Sequence, residues 1–74
     1  MTRAEFLRDL RGALKWPELT EDTVLQGDQR WDSLGQIEVL MLVEDRLGAT
    51  LEASALQDAG AVRDVLALVA SRLD

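Results

Sequence analysis

The most informative segment of this chain covers residues 31–40 and reads Trp31-Asp32-Ser33-Leu34-Gly35-Gln36-Ile37-Glu38-Val39-Leu40. A long polar stretch precedes it, and Ser33 opens the apolar run that follows. Ser33 and Gln36 have the Ser-x-x-Gln spacing of a capping box, and Asp32 is an alternative N-cap. The segment therefore predicts that a helix begins at this point.

This helix should end at Leu47, because Gly48 is a favourable C-cap. It is apolar nearly all round, and a step of about 100° per residue separates two apolar stripes. The stripe expected to face the core contains Val39, Leu40, Val43 and Leu47. The second stripe contains Leu34, Ile37 and Met41, with the carboxylates Glu38, Glu44 and Asp45 alongside.

The second stripe has two interpretations. It could be further core, covered by the preceding loop or by the last helix. It could instead be an exposed docking surface, since apolar residues ringed by charge are typical of such surfaces. The interleaved carboxylates favour docking, because burying them unpaired would be costly.

Upstream, Thr2-Arg3-Ala4-Glu5 fits a capping box that starts a first helix. This helix should end near Lys15, because Pro17 disfavours a helical residue directly before it. Residues 17–32 are polar, and we expect a long loop that the pair Val24-Leu25 pins to the core. Loops this long in compact domains are usually functional or disordered.

Downstream, a short helix is predicted between Ser54 and Ala59, and a last helix from about Ala61. The core stripe of the last helix should contain Val62, Val65, Leu66, Val69 and Leu73. The fold class is therefore all-α. We expect a small four-helix bundle with three main helices and one short helix, in a single domain spanning residues 1–74.

Composition narrows the possible functions of these 74 residues. The chain has no Cys, His or Tyr, which removes disulfides, thiolate chemistry and the commonest catalytic bases. Glu44 and Asp45 are a poor acid–base pair, because adjacent helical residues point in different directions. We therefore predict that the chain is not an enzyme, and the sequence offers no metal-ligand motif.

The net charge of −6 disfavours nucleic acid and anionic membranes as partners. The charge is concentrated in residues 32–58, where Arg46 is the one basic residue against six acidic residues. This segment is either a solvated acidic face or a patch that steers a basic partner. No apolar run is long enough to span a bilayer and no signal-peptide core is present, so we expect a cytoplasmic protein.

The chain resembles acyl carrier proteins, and the resemblance covers its whole length. It rests on length, acidity, the long first loop, Asp-Ser-Leu at the start of the second helix, the apolar pattern around Glu38, and a Val-rich last helix. The resemblance implies that Ser33 carries a covalent 4'-phosphopantetheine, and that Asp32 and Leu34 flank it for recognition by a phosphopantetheinyl transferase. The implied partner-docking residues are Leu34, Ile37, Glu38, Met41, Glu44 and Asp45.

The sequence departs from the family pattern at four positions. Arg30 stands where a glycine is common, and the bulky Trp31 directly precedes Asp32. Arg46 interrupts an otherwise acidic helix end, and Ala61 replaces the Thr or Ser common before the last helix, which leaves that helix without an obvious N-cap. The Trp-Asp-Ser-Leu-Gly form is similar to free-standing carriers of specialised pathways.

Two functional hypotheses follow. The first is a discrete carrier protein, expected to be monomeric, that holds acyl, aminoacyl or polyketide groups as thioesters on the arm at Ser33. Its partners would be the transferase and a loading ligase, synthase or transferase with a basic docking surface. The second is a non-covalent helical interaction module that binds through Leu34, Ile37 and Met41, with Ser33 only a helix cap.

Overall fold

The structure, a computed structural model, describes residues 1–74 and contains four α-helices. They are α1 (Arg3–Leu14), α2 (Ser33–Leu47), α3 (Ala53–Asp58) and α4 (Val62–Val69). A 3-10 turn, Ala70–Arg72, follows α4. An isolated bridge between Val24 and Ala61 is the only strand-like pairing. The prediction of an all-α fold with one short helix is confirmed.

Helix α1 has the predicted capping box. The Thr2 hydroxyl accepts a hydrogen bond from the Glu5 N–H at 3.1 Å, and the Glu5 carboxylate accepts one from the Thr2 N–H at 2.8 Å. The backbone hydrogen bond from Thr2 is the main reason that the pKa of Glu5 lies below its ordinary value. The helix ends at Leu14, and Lys15 adopts a left-handed C-cap conformation with φ of 52°.

Helix α2 begins with one of its two predicted N-caps, and the other prediction is wrong. Its N-cap is Asp32, whose carboxylate accepts a hydrogen bond from the Gly35 N–H at 2.8 Å. The predicted Ser33–Gln36 capping box is therefore wrong, because Ser33 is already the first residue inside the helix. Asp32 places a full negative charge at the positive helix end, which a serine hydroxyl cannot do. Gly48 is the C-cap as predicted, with φ of 64°.

The loop between α1 and α2 contributes heavily to the core. Leu25 is buried as predicted, but its neighbour Val24 points outward and is 64% exposed, so that half of the predicted pin is wrong. Extended backbone sends adjacent side chains to opposite sides, which explains the difference. The loop also buries Trp16, Leu19 and Trp31, none of which was assigned to the core from the sequence.

Helix α4 has the predicted buried stripe, and Leu73, which lies beyond the helix, packs against the core at its edge. Ala61 has no side-chain acceptor for the N-cap. Asp64 takes over this role from inside the helix, since its carboxylate accepts hydrogen bonds from the Gly60 and Ala61 N–H groups at 3.1 and 3.0 Å. The departure at Ala61 is therefore compensated.

Helices α1 and α2 pack against each other and run in opposite directions. Leu14, at the end of α1, lies beside Gly35 at the start of α2. Asp9, in the middle of α1, lies 3.7 Å from Arg46 at the end of α2. This pairing places the α2 N-terminus beside the α1 C-terminus. None of the helices has both the length and the apolar composition needed to cross a bilayer.

Candidate functional site

Ser33 is exposed at the first position of α2. Because Asp32 provides the cap, the Ser33 hydroxyl is not needed to start the helix. The carbonyl of Asp32 accepts the Gln36 N–H at 2.9 Å, and the N–H groups of Asp32, Ser33 and Leu34 have no acceptor at this end. An exposed hydroxyl thus lies beside free backbone donors at the positive end of a 15-residue helix.

Gly35 fixes the distance between the loop and α2. A Cβ atom at this position would lie 2.5 Å from the Arg30 carbonyl oxygen and 3.1 Å from Leu14 Cδ2. The first is a backbone atom, so a side chain here would push the end of the loop away. This role of Gly35 was not predicted from the sequence. The signal was a glycine in the first turn of a helix, where it costs about 0.5–1 kcal/mol relative to alanine.

Arg30 is held in place beside the α2 N-terminus. Its Nε and Nη2 atoms donate to the Asp28 carboxylate at 3.0 and 3.2 Å, and its guanidinium carbon lies 3.9 Å from the centroid of the Trp16 ring. The side-chain hydrogen bond is the main cause that lowers the pKa of Asp28 and raises the pKa of Arg30. The departures at Arg30 and Trp31 thus have a structural role, since Trp31 is buried in the core.

The second apolar stripe of α2 is exposed. Leu34, Ile37 and Met41 are 66%, 50% and 58% exposed, respectively. Glu38, Glu44 and Asp45 are exposed as well. We call these six residues the α2 face. The prediction that this stripe lies outside the core is confirmed, and the alternative that it is further core is wrong.

An open groove of about 720 Å³ runs beside the α2 face, between α1 and α2. It is lined by Ala13, Glu38, Met41, Leu42, Glu44 and Asp45. Arg46 does not line this groove and lies 3.7 Å from Asp9 of α1. The acidic character of the groove is therefore not cancelled by the one basic residue of the helix.

No family model, curated protein or solved structure matches this chain.

Proposed function

We propose that this chain is a discrete carrier protein with the fold of the acyl carrier proteins, and that Ser33 is its attachment site for 4'-phosphopantetheine. The observation that supports this most is the division of roles at the start of α2. Asp32 caps the helix, and the adjacent Ser33 hydroxyl is exposed with no structural task. An unused serine in the Asp-Ser-Leu context is what a modification site requires.

The residues around Ser33 fit a phosphodiester. Its negative charge would lie against the positive end of the α2 dipole and near the free N–H groups of Ser33 and Leu34. The hydroxyl is open to a separate enzyme. The chain itself contains no histidine or cysteine to activate it, so activation falls to the transferase.

The attachment step balances with coenzyme A as the donor. The Ser33 Oγ forms a bond to the phosphorus that carries the pantetheine, and the pyrophosphate bond to the nucleotide breaks. The nucleotide leaves as its bisphosphate, and the hydroxyl proton passes to the transferase. When bound, the arm supplies a thiol that carries acyl, aminoacyl or polyketide groups as thioesters in fatty-acid-like or specialised-metabolite biosynthesis.

The α2 face supports the proposal that partner enzymes bind this chain next to Ser33. Its three apolar side chains offer contact area, and its three carboxylates favour an enzyme with a basic surface. The face begins at Leu34, directly after Ser33. A partner bound there would therefore lie next to the modified serine, and the chain would be a substrate of its partners rather than an enzyme.

A second candidate function is a non-covalent helical interaction module. The exposed residues Leu34, Ile37 and Met41 would serve such a module equally well, because they suit a partner helix or groove. The two candidates differ in whether Ser33 is modified.

Intact mass spectrometry separates the two candidates. The purified chain is incubated with coenzyme A and a promiscuous phosphopantetheinyl transferase, beside Ser33→Ala as the matched variant. We expect the wild type to gain the mass of one phosphopantetheine and Ser33→Ala to gain none. A folded wild type that gains no mass, or a Ser33→Ala variant that gains it, would contradict the carrier proposal.

A further inference from the structure

We propose that a groove between α1 and the start of α2 holds the proximal part of the phosphopantetheine arm, with its phosphodiester toward Lys15 and Arg30. This inference rests on the proposed function. The groove, which we call the Ser33 groove, has a volume of about 460 Å³. Residues from three segments line it, among them Gly12, Ala13, Lys15, Arg30, Leu34 and Gly35. It lies on the α1 side of Ser33.

The Ser33 groove is continuous with the attachment site. Asp32 and Leu34, the two neighbours of Ser33, both line it. An arm that leaves the Ser33 oxygen therefore reaches the groove within its first atoms. The volume lies in the range of ordinary small-molecule sites.

Two cations, Lys15 and Arg30, line the Ser33 groove, and Arg30 is also ion-paired with Asp28. Lys15 is exposed and forms no ion pair, and Arg30 is oriented by Asp28 and by the Trp16 ring. Of the carboxylates in the lining, Asp32 already accepts the Gly35 N–H. Glu38 also lines the larger groove beside Met41, which places it at the junction of the two grooves.

Lys15 occupies a position where the backbone conformation would strain glycine less than lysine. Its φ of 52° is left-handed, a conformation that strains a residue other than glycine. A cation at a helix C-terminus recovers part of this through the dipole. Lys15 therefore adds a positive charge to the lining of the groove, and this charge suits the anionic phosphodiester.

Gly12 adds no side chain to the α1 side of the groove. Glycine inside a helix is destabilising relative to alanine, and packing does not require it here, since a Cβ at Gly12 would meet nothing within 4 Å. Gly35, in contrast, is required by the close approach of the Arg30 carbonyl. The absence of a side chain at Gly12 leaves open space where the arm would lie.

The junction of the two grooves also predicts the direction in which the arm would run. Ala13 and Glu38 line both the Ser33 groove and the larger groove, so the two meet along the seam between α1 and α2. From Leu34 to Met41 the helix rises about 10 Å. An arm placed in this seam would lead its thiol away from Ser33 toward Met41 and Leu42.

Isotope-filtered NMR on the modified protein tests the location of the arm. The chain is labelled with ¹³C and ¹⁵N, and unlabelled coenzyme A supplies the arm. We expect nuclear Overhauser effects from the geminal methyl groups of the pantetheine to Gly12, Ala13 and Leu34. We also expect the ³¹P resonance to differ from that of the same modified protein unfolded in urea.

Two variants and a control sharpen the test. Gly12→Leu should fill the groove, remove these Overhauser effects, and leave the helix at least as stable. Lys15→Glu should move the ³¹P resonance toward its position in the unfolded protein. The control Ala4→Leu, at an exposed α1 position outside the groove lining, should change neither signal.

Intact mass, measured on every sample, distinguishes this inference from the proposed function. Full modification with Overhauser effects absent, or unchanged in Gly12→Leu, would overturn the placement of the arm and leave the carrier function standing. If Gly12→Leu does not fold, an unmoved ³¹P resonance in Lys15→Glu has the same meaning. An unmodified wild type would overturn both.

Discussion

At the start of α2, Asp32 rather than Ser33 acts as the N-cap, which leaves the Ser33 hydroxyl free. Asp32 accepts the Gly35 N–H and sets the start of α2, and Ser33 stays exposed one residue later. A modification that consumed the capping group would destabilise the helix. With the cap on Asp32, the Ser33 hydroxyl can change chemically while the helix keeps its first turn.

The two residues should therefore differ in their effect on stability. Asp32→Ala is expected to lower the free energy of unfolding by about 0.5–2 kcal/mol, the usual cost of losing an N-cap. Ser33→Ala is expected to change it by less than about 0.5 kcal/mol, as at ordinary surface positions. Urea denaturation followed by circular dichroism measures both. A larger loss for Ser33→Ala than for Asp32→Ala would show that Ser33 is the cap after all.

At the scale of the element, α2 carries two apolar faces, one buried and one exposed. Val39 and Val43 are fully buried, and Met41 between them in sequence is 58% exposed. The step of about 100° per residue puts Met41 on another side of the helix. One helix can thus hold the domain together and offer a contact surface.

Substitutions on the two faces should separate stability from function. Val43→Ala is expected to cost on the order of 2 kcal/mol through lost burial. Met41→Ala is expected to cost less than about 0.5 kcal/mol and to weaken cargo transfer to downstream enzymes. Thermal unfolding and a transfer assay per folded molecule measure the two effects. A marked fall in melting temperature for Met41→Ala with unchanged transfer would place the α2 face in the core.

The acidic residues of α2 should act on encounter rather than on folding. Glu38→Lys and Asp45→Lys are expected to slow modification by the transferase, and salt should slow the wild type, since the Debye length is about 10 Å at 0.1 M ionic strength. The matched control is Glu18→Lys, an exposed loop position without an ion pair. Rates that ignore both the reversals and the salt would indicate a solvated face only.

At the scale of the whole molecule, the long loop belongs to the folded unit. Trp16, Leu19, Leu25 and Trp31 all contribute to one core cluster with the helices. The loop cannot detach without exposing this core. We therefore expect the loop and the helices to unfold together as one cooperative unit.

Tryptophan fluorescence tests this directly, because both tryptophans lie at the loop and are buried. The fluorescence transition in urea should coincide with the far-ultraviolet circular dichroism transition, which reports on the helices. A fluorescence change at clearly lower urea would mean that the loop opens first. In that case Ser33 would follow a mobile segment instead of a fixed one.

The sequence was sufficient to predict the helices and the exposed α2 face, because both depend on local periodicity and capping residues. It predicted both ends of α1, the C-cap Gly48, and the exposure of Leu34, Ile37 and Met41. It could not predict contacts between distant residues. The burial of Trp31 and the stacking of Arg30 on Trp16 depend on how the loop crosses the helices, which no local pattern encodes.

The most direct test of the carrier proposal is to locate the modification within the folded wild-type chain. After reaction with coenzyme A and a promiscuous transferase, tandem mass spectrometry maps the modified peptide. Ser54 and Ser71, which are exposed but lack the Asp-Ser-Leu context, serve as internal controls. We predict one phosphopantetheine, on Ser33 alone. A folded chain that remains unmodified, or one modified at Ser54 or Ser71, would contradict the account.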